Sequence, residues 1–134
     1  MSAATPMFKD QQDQLGDLAS RYVDVGDIDW KPTPCEGIDM KVLLHDEETG
    51  LMTAMFRWQP GSKLTFHEHV EIEQTYVLEG HLVDDEGEVT AGNYVWRPGG
   101  SRHDAWSPNG ALILSIFLKP NIFYDGEHDG LELK

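Results

Sequence analysis

Apolar residues recur along much of this chain with a period of two, the spacing of a sheet that buries one face. From Met40 onward, short runs follow one another: "MKVLLHD", "LMTAMFRW", "LTFHEH", "EQTYVLEGHLV", "EVTAGNYVWRP", "SRHDAWS" and "ALILSIFLKP". Turn signals separate them at "EETG", Pro60-Gly61, "DDEG", Gly99-Gly100 and Asn109-Gly110. Asn-Gly suits a tight hairpin because both residues tolerate positive φ. Short strands joined by tight turns predict an all-β fold, an antiparallel sandwich or barrel. Toward the N-terminus the pattern changes. Leu15, Leu18, Ala19 and Tyr22 recur at helical spacing, which predicts a short helix; the competing reading is an edge strand from Ser20 to Val25, and Gly16 weakens the helix. Residues 1–14 are polar and without pattern. Residues 1–25 are therefore expected to form an arm, partly extended, and residues 26–134 a single domain.

Charge narrows the partners. The chain has 134 residues, 24 acidic against 10 basic, for a formal charge of −14. Nucleic acid is excluded as a partner because phosphates need Lys and Arg to displace their counterions, and an anionic membrane surface is excluded on the same ground. No apolar stretch approaches the length of a membrane span, and no basic-plus-apolar leader opens the sequence. The single cysteine, Cys35, leaves no internal disulfide and suits a reducing cytoplasm. Its turn-like setting, "PTPCEG", reads as a small buried side chain rather than a nucleophile.

One strand breaks the apolar rule. "FHEHVEIEQTYVLEG", residues 66–80, holds two histidines, four glutamates and a glutamine. In a strand the side chains of His67 and His69 share a face; two neutral imidazoles placed so can share a metal ion. The spacing continues: Gly61, five residues, His67-x-His69, three residues, Glu73, six residues, Gly80; then Gly92, five residues, Pro98-x-Gly100, two residues, His103. These two motifs, in this order, resemble those of the cupin superfamily. The resemblance implies a cupin-type antiparallel jelly-roll β-barrel, with His67, His69, Glu73 and His103 as ligands of one divalent transition metal inside it. Three neutral nitrogens and one anionic oxygen suit Fe(II), Mn(II), Ni(II) or Zn(II). Glu71 offers a second carboxylate, but the family spacing favours Glu73. Where the second motif often carries an asparagine four residues after its histidine, this chain has Ser107. His45, His81 and His128 lie outside the motifs and read as surface groups.

"IDWKPTPCEGIDMKVLLHDEETG" and "EQTYVLEGHLVDDEGEVTAGNYVWRPGGSRH" are similar to the ChrR-like cupins, a group that includes zinc-binding anti-sigma-factor domains and stand-alone cupins linked to acetylacetone dioxygenase and 2,4'-dihydroxyacetophenone dioxygenase. No helical sigma-binding domain is legible here, so the resemblance implies a metal-dependent dioxygenase that cleaves a C–C bond of a small β-diketone or aromatic hydroxyketone chelated to Fe(II), with Zn(II) or Ni(II) as other occupants. A non-oxidative metal-dependent isomerase or lyase, and a non-catalytic zinc or small-molecule sensor, are the alternatives. Beyond the ligands no acid–base residue stands out. Candidates for the pocket wall are Arg57, Tyr76, Trp96 and Phe117; Arg57 either faces the pocket to bind an anionic substrate or pairs with a surface carboxylate. The partners expected are a small-molecule substrate and, because a strand-like arm could cover a sheet edge, a second copy of the chain in a homodimer.

Overall fold

The computed structural model describes residues 2–119 and 121–123. Its strands are β1 (Ala3–Ala4), β2 (Lys31–Pro32), β3 (Ile38–Asp46), β4 (Met52–Trp58), β5 (Ser62–Glu68), β6 (Glu73–Val83), β7 (Glu88–Thr90), β8 (Tyr94–Arg97), β9 (Arg102–Ser107), β10 (Ala111–Phe117) and β11 (Ile122–Phe123). They hydrogen-bond in the order β1-β3-β4-β10-β6-β9-β5-β11, with β2 on β3 and both β7 and β8 on β6. Every pairing is antiparallel. The sheet curls on itself as an antiparallel cupin-type jelly roll, the fold that the strand pattern and the motifs predict.

Alternation does the folding work. In β10 every second side chain is buried, Ala111, Ile113, Ser115 and Phe117 facing inward, with Leu112, Leu114 and Ile116 half-buried between them. β4 matches it: Ala54, Phe56 and Trp58 point inward, Arg57 outward. Ile38, Val77, Leu82 and Ala105 complete an apolar interior. Each large side chain removed from water there is worth about 1.5–3 kcal/mol, set against the entropy of ordering it.

Register shifts break the alternation at three places, between Val42 and Leu44, between Leu112 and Ile113, and between Leu64 and His67. β6 has 11 residues and serves two neighbourhoods. Its first half pairs with β8 and β10, and its end, His81–Val83, pairs with β7. Gly80 lies at the crossing with φ +74°, where an added Cβ would stand 2.0 Å from the carbonyl oxygen of Gly110. Only glycine lets the two backbones approach this closely.

The arm differs from both sequence readings. Residues 15–24 contain neither helix nor strand, and Leu18 and Tyr22 are 99% and 93% exposed. Helical spacing without a face to bury against does not make a helix. The ordered elements lie earlier. Ala3 and Ala4 pair with Asp46 and His45 of β3, a 3-10 turn spans Pro6–Phe8, and a single α-helical turn spans Lys9–Gln12. The edge strand expected from Ser20 to Val25 is thus replaced by β1, which covers the edge of β3.

Candidate metal centre

β5 and β9 run side by side with His67 opposite His103. Inward parity explains only part of this. Leu64 and His67 both line the interior cavity, yet residues three apart on a regular strand face opposite ways. The register shift between them places one extra residue on β5, which turns Phe66 outward, 42% exposed, and His67 inward, 0% exposed. A bulge beside a site that re-aims a side chain is a recurring device. His69 follows the end of β5 and is pinned by backbone bonds. Its N–H donates to the Ser101 carbonyl at 2.9 Å and its own carbonyl accepts from the Gly100 N–H at 2.6 Å. Gly100 adopts φ +87° in this turn, so Gly100 and Ser101 of the second motif clamp the second histidine of the first.

The three imidazoles converge. Ring centroids of His67, His69 and His103 are 4.6 to 4.8 Å apart, and among the described residues these three form a buried group whose ligand atoms all lie within 4.8 Å of one another. The outer ring nitrogen of each meets an acceptor. Nδ1 of His67 lies 2.7 Å from the Thr65 carbonyl. Nδ1 of His69 lies 2.7 Å from Oε2 of Glu73 and 3.0 Å from Oδ1 of Asn121. Nδ1 of His103 lies 3.2 Å from Oδ2 of Asp84. Acceptors on that side place the proton on Nδ1 and leave the lone pair on Nε2. Three Nε2 lone pairs then point at one another, with His69 and His103 only 2.8 Å apart through these atoms and His67 Nε2 buried without any partner. Facing lone pairs repel unless a cation lies among them, and the donor set is one that a divalent transition metal takes.

Burial is the largest influence on two of the rings and disfavours their charged forms. It holds His67 at about 3, helped by the neighbouring His69 charge, and His103 at about 4, helped by the Arg97 guanidinium. Neutral imidazoles are the ligand form. Glu73 goes the other way: burial would raise its carboxyl, but the His69 hydrogen bond and the charges of His69, His67 and Arg97 outweigh it and keep it ionised.

The expected fourth ligand is placed differently from the other three. Glu73 is buried, but one oxygen faces His69 Nδ1 and the other accepts the Thr75 hydroxyl at 3.0 Å, with Ser115 2.8 Å beyond on Thr75. Its carboxylate lies behind a ligand rather than in the three-nitrogen cluster. Of the expected pocket wall, Phe117 lines the cavity and Trp96 a separate cleft that also reaches His103, whereas Arg57 and Tyr76 line neither. Arg57 pairs with Asp39 at 3.0 Å and lies over the Trp30 ring, 4.4 Å from its centroid. Tyr76 and Trp96 stand on the outer face, 43% and 55% exposed, because their strand neighbours Thr75, Val77 and Val95 take the inner positions. His81 is on the surface with Glu88 at 2.7 Å; Cys35 is buried; His128 lies outside the described residues.

Three residues of the site were invisible to motif reading. Oδ1 of Asp84 accepts from the backbone N–H groups of Glu86 and Gly87, both at 2.9 Å, and Oδ2 is shared by Arg97 at 2.7 Å and Nδ1 of His103 at 3.2 Å. Burial would raise its carboxyl, but the Arg97 charge and these N–H bonds prevail and hold it below the usual range. Asn121 is 1% exposed behind His69. Alternation carried a faint signal for two of them, since Asp84 and Arg97 each stand two residues after an inward apolar residue, Leu82 and Val95. For Asn121 no local signal exists.

A curled jelly roll with a buried histidine triad able to hold a metal ion defines a cupin. Residues 18–121 match the family model of the ChrR cupin-like domain, and the chain belongs to that family. No curated protein sequence matches significantly. Among solved structures, the chain is similar to a protein of Methylibium petroleiphilum assigned as an acetylacetone dioxygenase, at 25% identity and TM-score 0.77, covering 89% of this chain and 90% of that one. The acetylacetone dioxygenase of Acinetobacter johnsonii matches at 23% identity and TM-score 0.77, over 90% of this chain and 89% of that one. The polyketide cyclase RemF of Streptomyces resistomycificus matches at 20% identity and TM-score 0.60, over 73% and 78%. A fold shared by a dioxygenase and a cyclase leaves the reaction to the site. Among the described residues no helix is long and apolar enough to cross a membrane.

Proposed function

We propose that this chain is a metal-dependent dioxygenase that cleaves a C–C bond of a small β-diketone or aromatic hydroxyketone, with Fe(II) held by His67, His69 and His103. The observation that carries this reading is the outward commitment of all three Nδ1 atoms, which leaves three Nε2 lone pairs converging on one point. The likeness to acetylacetone dioxygenases supports the choice of substrate class. When bound, the metal would supply Lewis-acid polarisation of a chelating enolate and, as iron, redox chemistry with O₂.

The protein's own part is positioning and exclusion of water. Glu73 and Asn121 hold the tautomer and plane of His69, Asp84 does so for His103, and the Thr65 carbonyl for His67. Glu73 acts in this proposal through His69 rather than as a fourth ligand, so coordination positions remain for a two-oxygen chelator. The cavity beside the triad is narrow, about 30 Å³, and is walled largely by Ile38, Phe56, Leu64, Leu82, Ile113 and Phe117. Apolar walls favour an uncharged or charge-delocalised organic ligand.

The test is stoichiometric. Protein stripped of metal and reloaded anaerobically with Fe(II) should consume one O₂ per molecule of acetylacetone or of an aryl hydroxyketone and release two carbonyl or carboxyl fragments. The Zn(II) form should bind the same compounds without O₂ uptake, because zinc has no accessible redox change. Binding without O₂ uptake by the iron form would reject the dioxygenase and leave the non-oxidative enzyme or the sensor.

A further inference from the structure

The jelly roll has two outer faces, and they differ in charge. On the outer side of β5 and β9, Lys63 pairs with Asp104 and Arg102 with Glu68, both at 2.9 Å, a surface of the kind that stays in water. The outer side of β4, β10, β6 and β8 is different. Met55, Leu114, Tyr76 and Tyr94 stand opposite one another in a row across the four strands. Ile116, Gln74 and Trp96 form the next row. None of these is charged, in a chain of net charge −14. Tyr76, Leu78, Tyr94 and Trp96 are each 42 to 55% exposed. The polar groups among them answer each other, the Tyr94 hydroxyl donating to Oε1 of Gln74 at 2.6 Å. Charge returns only at the rim, where Leu112 lies between Arg57 and Glu79. An apolar centre with a polar rim is the anatomy of a protein interface.

The chain covers one end of this face itself. Lys41 extends the first row onto β3, opposite Met55, and is buried. Its Nζ donates to the Val25 carbonyl at 3.0 Å and lies 4.8 Å from the centroid of the Trp30 ring. Beyond β4 the cover stops, as the exposure of Tyr76, Tyr94 and Trp96 shows. Leu18 and Tyr22, on the segment that leads into Val25, stand almost wholly in water. One chain thus carries an uncovered apolar face and, leading onto it, an uncovered apolar arm. The sheet edge is not what remains to be shared, since β1 of the same chain already occupies the edge of β3.

We infer that this face binds a second copy of the chain about a twofold axis, with residues 15–24 of each copy laid on its partner. Charge selects that occupant. A basic partner needs acidic groups here and finds none, and an acidic one meets a chain of net charge −14. An uncharged face complements another uncharged face, and a twofold pair supplies one. Size requires the arm. The face offers about ten residues, against roughly 20–30 on each side of a stable interface, and residues 15–24 provide the rest.

Sedimentation equilibrium of the full chain should give a mass about twice 15.1 kDa at micromolar concentration, dissociating on dilution as mass action requires. Tyr76→Glu and Trp96→Glu should each weaken the pair by at least about thirtyfold, whereas Trp106→Glu, a like change on the outer side of β9, should move it by less than about threefold. Leu18→Ser combined with Tyr22→Ser should weaken the pair by about tenfold. It should leave the melting of the dissociated chain unchanged, because both side chains are in water there. Hydrogen exchange of wild type needs no variant: amides of residues 15–24 should exchange more slowly in the pair than after dilution. A 15.1 kDa species persisting up to about 100 µM overturns the inference. So does a pair that withstands both Tyr76→Glu and Trp96→Glu, or one that yields to Trp106→Glu instead. A pair broken by Tyr76→Glu but indifferent to Leu18→Ser with Tyr22→Ser, its arm exchanging equally fast in both states, would keep the face and overturn the part given to the arm.

Discussion

Where β5 and β9 bring His67 and His103 together, the interior is polar and nearly every group is answered by another; where β3, β4 and β10 meet, Ile38, Phe56, Trp58, Ala111 and Ile113 pack with little that is polar between them. The two ends of one cavity thus perform different work. The apolar end gains free energy from burial and owes nothing to a ligand. At the histidine end, imidazoles, carboxylates and hydroxyls have been taken out of water, and their mutual bonds offset that cost without clear surplus. Stability should therefore be concentrated at one end and chemistry at the other.

The sharpest way to break this comparison is Phe56→Ala. Phe56 is 5% exposed and meets Phe117 edge-on with centroids 6.0 Å apart, so its truncation should cost about 3–5 kcal/mol in urea unfolding. A cost under about 1 kcal/mol would mean that the apolar end is not the stabilising one. At the other end, His69→Ala should abolish stoichiometric metal in elemental analysis while the far-ultraviolet dichroism of the barrel is kept; loss of the fold would erase the distinction.

Acid should act only through the polar end. His67 and His103 titrate at about 3 and about 4 in the folded chain against 6.5 in an unfolded one. Unfolded chain therefore binds more protons below pH 6.5. Stability from these rings is fully present above that value and is lost as the pH falls toward 4 and then 3. Glu73, held below its ordinary 4.5, adds a loss of the same sign below that value. The urea midpoint of metal-free protein should fall between pH 7 and pH 4, and His103→Gln should flatten that slope. A flat wild-type profile would show that the rings are not buried neutral.

Smaller effects belong to the supporting residues. Glu73→Ala should weaken metal binding by about 10–100-fold in chelator competition, and Glu73→Gln should recover part of it, since an amide oxygen still accepts the His69 N–H. A larger loss with no recovery by Gln would make Glu73 a direct ligand, as its spacing first implied. The smallest change should come from Arg57→Ala. Its partner and its aromatic neighbour are both on the surface, so stability should move by under about 1 kcal/mol and ligand affinity not at all. A clear loss of affinity would return Arg57 to the pocket.

Much was legible without coordinates, and the reason is local. The period-two alternation of "MTAMFRW" and "ALILSIF" reflects strand geometry itself, so β4 and β10 appear where the pattern puts them. Gly80 and Gly100 likewise mark positions where backbone geometry admits few residues, and the chain brings together all three histidines whose spacing goes with them. Absolute facing was another matter. Alternation states which residues share a face, but the extra residue between Leu64 and His67 reverses parity within one strand. Pairing distant in sequence was not legible either: Asn121 reaches His69 across 52 residues without a local sign, and alternation hinted that Asp84 faces inward but not that it reaches His103 across 19. The helical spacing of Leu15 to Tyr22 was true and carried no weight, because no surface lies opposite it to be buried. Local pattern determined the strands, the turns and which three histidines could hold a metal ion. Closure of the sheet decided which carboxylates meet His69 and His103 and which aromatic side chains face water, since those depend on what lies across the barrel, and no run of neighbouring residues encodes that.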